Sequence, residues 1–160
     1  MSKQPGPEIE TVEESVIWRE ACDLAEYMYG IVHELREHGE EFRTESKIKY
    51  SANDLMFYVA QALGNAIPSG AQFEWGNARR NLSSLKTMYR FAGRQKFLVI
   101  DPAIMVRLDK LNKLIEAEIQ KAAAKTKAAN EAQLSVWREE YSLWRKMNQD
   151  SLPSPRRTKQ

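Results

Sequence analysis

The chain has 160 residues, 42% hydrophobic and 29% charged, with a formal net charge of +2, the balance of one ordinary globular domain. A mean hydropathy of -0.59 and the lack of any unbroken apolar run near about 18 residues argue against a membrane span, so no membrane partner is expected. Cys22 is the single cysteine, which leaves no intramolecular disulfide, and Met1 to Glu14 has neither the basic head nor the apolar stretch of a secretory leader. A cytoplasmic location is expected.

The modest net charge hides an asymmetry. Residues 1–42 hold 3 basic and 11 acidic side chains, whereas residues 43–160 hold 21 basic and 11 acidic ones. An acidic first quarter and a basic remainder suggest an acidic face and a basic one, the latter suited to a polyanion.

Residues 1–14, acidic and carrying Pro5 and Pro7, are expected to be flexible. Glycine and proline then divide residues 15–125 into four helical blocks. In the first, Ser15 to His38, the residues Ile17, Ala21, Leu24, Met28, Ile31 and Leu35 recur at steps of three and four and predict one buried face, closed near Gly39. The second, Thr44 to Ala66, has Thr44 as a candidate cap and a stripe of Ile48, Ala52, Leu55, Val59, Ala62 and Ala66. Tyr50, Phe57 and Tyr58 lie off that stripe, which predicts a helix that is either central or shared with another subunit, and marks the three as candidate oligomer or partner contacts.

Ile67 to Gly70, with Pro68, predicts a turn, followed by a third helix from Ala71 to Arg94 burying Ala78, Leu82, Leu85, Tyr89 and Ala92. Gly93 weakens its last turn. After the connector Gln95 to Ile100, Asp101-Pro102 is a helix start, a capping side chain followed by the residue favoured at the first helical position. Ile104, Leu108, Leu111, Ile115 and Ile119 form the fourth stripe.

No glycine or proline interrupts Pro102 to Asp150, and an unbroken helix there would reach roughly 70 Å. Residues 126–150 are therefore expected as an amphipathic helical extension, continuous or broken in the Ala-rich part, with Trp137, Tyr141 and Trp144 on one face for an oligomer or partner. Residues 151–160 make a basic tail expected to be disordered. The predicted fold is all-α, an up-down four-helix bundle with a long or broken C-terminal helical extension.

Little in the sequence suggests catalysis. His33 and His38 are five apart, which turns them about 140 degrees from one another and prevents chelation from one helix face. Cys22 has no compelling base, the glutamates form no Glu-x-x-His pair of the di-metal bundles, and glycine-rich phosphate loops and serine elbows are absent. No enzyme activity, cofactor or metal is expected.

The cations are better organised. Arg79, Lys86, Arg90 and Arg94 fall within about 80 degrees of helix surface, away from the buried stripe, and Arg80 adjoins them. Arg107, Lys110, Lys121 and Lys125 make a second row on the fourth helix. A row of cations can neutralise successive phosphates, which marks these nine residues as candidate nucleic-acid or polymerase contacts.

The segment from Ala78 to Ile119 resembles the Avd family, the accessory variability determinants of diversity-generating retroelements. The resemblance rests on Ala78, Leu82, Leu85 and Lys86 in one helix, then Tyr89-Arg90-Phe91-Ala92, then Gly93, Gln95 and Lys96, then Asp101-Pro102. Upstream, Trp18, Ala21, Leu24 and Tyr27 resemble the opening helix shared with the four-helix-bundle proteins of ribosomal RNA intervening sequences. Ser51-Ala52-Asn53 departs from the Ser-Ile-x-x-Asn-Ile-like segment of those proteins, and Thr126 to Gln160 has no counterpart. The resemblance implies a non-catalytic homopentamer that binds a reverse transcriptase and its structured template RNA during mutagenic cDNA synthesis. The alternative is a structural homo-oligomer of the intervening-sequence type without a nucleic-acid role.

Overall fold

A computed structural model describes residues 12–35 and 42–148. A single 3-10 turn, Val12–Glu14, precedes four α-helices: α1 Val16–Leu35, α2 Phe42–Gly64, α3 Pro68–Arg94 and α4 Pro102–Met147. Among the described residues there is no strand. The expected stop at Gly39 with His38, the acidic segment through residue 11 and the basic tail 151–160 lie outside the described residues. The chain divides into two compact units, residues 1–123 and residues 124–160.

In the first unit, four helices pack into a bundle because each carries apolar residues at helical spacing along one side. Ile17, Ala21, Leu24 and Met28 of α1, Ile48, Ala52, Leu55, Val59 and Ala62 of α2, Ala78, Leu82, Leu85 and Tyr89 of α3, and Ile104, Leu108, Leu111 and Ile115 of α4 form a continuous core. Ala25, Val32 and Trp75 join it, while Ile31 and Ile119 pack against it only partly buried.

Cross-helix contacts fix the direction of each helix. Tyr27 of α1 meets Tyr89 of α3 edge to face, and the Tyr89 hydroxyl accepts a 2.8 Å hydrogen bond from the Asp101 backbone N–H at the start of α4. Moving into α4, Arg107 reaches back to Glu20 and Asp23 of α1, and Asp109 meets Lys86 of α3. Sequence numbers fall in α1 and α3 as they rise in α4, so α4 runs antiparallel to both. Ser51 donates to Ser84 at 2.9 Å in the α2–α3 contact, where small residues let two backbones approach. The bundle is up-down.

Three expected boundaries move. Thr44 is no cap: α2 has already begun by Phe42, and Thr44 is buried inside its first turns. The turn at Ile67 to Gly70 is shorter than expected, since α3 starts at Pro68. Proline's fixed φ suits the first helical position, and the Asn65 side chain accepts from the Ile67 N–H at 3.0 Å to complete the turn. Ala66 consequently falls beyond α2 and is exposed. The α4 start matches expectation, with Asp101 Oδ1 accepting from the Ala103 N–H at 2.8 Å, and α4 is unbroken through the Ala-rich stretch.

No helix among the described residues is long and apolar enough to cross a membrane.

Candidate nucleic-acid interface

Position along α3 decides which cations are available to a ligand. Arg79, Arg80, Arg90 and Arg94 are exposed, and among the described residues none of them forms an ion pair. Lys86, in the middle of the row, is instead tied to Asp109 of α4. The Lys86 ammonium, hydrogen-bonded to Asp109, holds that carboxyl below its usual range, and Arg90 and Lys113 add to the effect.

The row on α4 is less uniform. Arg107 donates to Glu20 through Nε at 2.8 Å and through a terminal nitrogen at 3.1 Å, with Asp23 at 3.3 Å. This two-pronged contact lowers the Glu20 carboxyl below its ordinary value and raises the guanidinium further. Arg107 thus fastens α1 to α4 and offers little to a ligand. Lys110 is exposed, Lys121 pairs with Glu118 one turn away, and Lys125 belongs to the second unit.

The aromatic candidates separate in the same way. Tyr50 is 69% and Phe57 56% exposed, whereas Tyr58 packs partly buried against the core and touches the Phe57 ring edge to face. In the second unit Trp137 is 68% exposed, and Tyr141 and Trp144 stack at 6.0 Å between ring centroids.

A groove where α2 begins and α3 ends was not legible as a site in the sequence. Arg43, Thr44 and Lys47 of α2 face Met88 and Phe91 of α3, and Gln95 and Phe97 beyond it, around a volume of about 440 Å³. The end of α3 shapes this groove. The Phe97 N–H bonds to the Ala92 carbonyl and the Lys96 N–H to the Gly93 carbonyl, both at 3.0 Å, with Lys96 at φ 59. These paired bonds around a left-handed residue close the helix and turn the chain. Gly93 is required here because a Cβ would lie 2.4 Å from Ile100 Cγ1. The available signal was Phe91, an aromatic off the buried stripe between Arg90 and Arg94. Arg43 and Lys47 were not included in either basic row.

No set of three or more His, Cys, Asp or Glu side chains placed to hold a metal occurs among the described residues. Burial, with Glu26 and Asp23 nearby, pushes the Cys22 thiol above its ordinary value, which keeps it protonated and a poor nucleophile near neutral pH. No family model, curated protein or solved structure matches the chain.

Proposed function

We propose that this protein is a non-catalytic accessory subunit of a diversity-generating retroelement, binding a reverse transcriptase and its structured template RNA to support mutagenic cDNA synthesis. The observation that carries the reading is the set of exposed arginines on α3, Arg79, Arg80, Arg90 and Arg94, which have no ion-pair partner among the described residues. Guanidinium groups not taken up in ion pairs are available for bidentate contacts to phosphate. The resemblance from Ala78 to Ile119 supplies the identity of the partners.

Replacing these four arginines by glutamate tests the reading, since all four side chains face solvent and the core is untouched. RNA binding by the variant should be lost while its helical circular dichroism stays that of the wild type. Undiminished RNA binding would sink the assignment.

A second reading, a structural homo-oligomer without a nucleic-acid role, is favoured by Tyr50 and Phe57, two large side chains on one exposed face of α2. Its subunits would associate through that face, and a pentamer is the assembly the resemblance implies. Sedimentation of the Tyr50→Ser, Phe57→Ser variant decides: loss of assembly supports this interface, and an unchanged sedimentation coefficient removes it.

A further inference from the structure

We propose that the groove between the start of α2 and the end of α3 receives one unpaired nucleotide of an RNA strand, its base against Phe91 and its phosphate on Arg43 and Lys47. The proposal rests on the RNA-binding reading above and assigns that reading a second contact, distinct from the arginine row.

The groove's chemistry favours an aromatic anion. Met88, Phe91 and Phe97 give it an apolar wall, and Arg43 and Lys47 line the α2 side. Phe91 is 42% exposed, too open for a core side chain of its size yet adjacent to one, since Ala92 is fully buried. Arg43 and Lys47 lie one helical turn apart, both exposed, and among the described residues neither has an ion-pair partner. A lipid tail or apolar peptide would leave that charge unanswered. An aliphatic anion would leave the ring unused. A nucleotide satisfies both, because every base has a π-face for stacking and carries a phosphate within reach of a cation.

Gln95, also lining the groove, adds a side-chain amide that can both donate to and accept from a base edge. The volume of about 440 Å³ lies within the range of small-ligand sites, roughly 300–1,000 Å³. A polynucleotide is the source because Arg94, exposed and three residues from Phe91, lies beside it on the surface of α3. A strand leaving the groove meets that cation, then Arg90 one turn earlier.

The test compares a fluorescently labelled single-stranded RNA with a duplex of the same strand length, using the full chain and its Phe91→Ala and Phe91→Tyr variants. Loss of the stacking ring should weaken single-strand binding about tenfold, leave duplex binding and the salt dependence unchanged, and be rescued by tyrosine. Undiminished single-strand affinity in Phe91→Ala would overturn the proposal while leaving the arginine row intact. Failure of the wild type to bind either RNA would refute the RNA-binding reading itself. Saturation-transfer NMR with adenosine monophosphate then decides the groove alone. Transfer to base protons that disappears in Phe91→Ala supports the nucleotide site, overturning the polynucleotide source alone if the wild type binds neither RNA, and no transfer would overturn the nucleotide site.

Discussion

Replacing Arg107 by Met and Glu20 by Gln, singly and together, isolates the strongest polar tie between α1 and α4. Two nitrogens of Arg107 engage the two oxygens of Glu20 at 2.8 and 3.1 Å, and the side chains are 36% and 20% exposed. Partial exposure discounts the pair toward surface values, while its two-pronged geometry raises it to the top of that range, about 1 kcal/mol of coupling. For a domain of this size that corresponds to a shift of about 2–4 °C in unfolding temperature. Because the Glu20 carboxyl titrates below its ordinary value of 4.5, the stabilisation is complete above that value and is lost as pH falls through the depressed one. Thermal unfolding of the four proteins at pH 7 and at successively lower pH measures the cycle. No coupling at pH 7, or coupling that grows rather than declines as the solution is acidified, would refute the reasoning.

Lys96 holds a left-handed backbone conformation that disfavours side chains, so Lys96→Gly should raise stability by about 1 kcal/mol, read as a higher denaturant midpoint with unchanged slope. Gly93→Ala should do the opposite, since its new methyl would meet Ile100 at 2.4 Å; an unchanged midpoint would count against the close approach. Asp101→Ala removes the cap of α4 and should lower stability by about 1 kcal/mol in the same assay. Leu85→Ala, at a fully buried position, should cost about 2–5 kcal/mol. A loss under 1 kcal/mol would place that residue outside a tightly packed core.

The core was legible because burial in a bundle follows helical spacing: Leu24, Leu55, Leu82 and Leu108 each sit where their stripes put them. Trp75 lies inside the expected third helix, one step of three before Ala78, and extends the buried face of α3 by a turn beyond the aliphatic stripe that marks it. Charge was harder to place than apolarity. Lys86 and Arg107 look like their neighbours in sequence, and only the packing of α4 brings Asp109 and Glu20 against them. The groove depends on residues some forty to fifty positions apart, a juxtaposition no local spacing encodes.

The four tryptophans divide by setting as well as by position. Trp75 is 3% exposed in the bundle and Trp18 packs partly buried against the same core, whereas Trp137 and Trp144 face solvent. Intrinsic emission is therefore a composite of blue and red components with different access to a soluble quencher. Acrylamide should extinguish the red component first, leaving a signal that reports the bundle's unfolding. With the Trp137→Phe, Trp144→Phe variant, the same protein becomes its own optical probe of the core, with no label to attach.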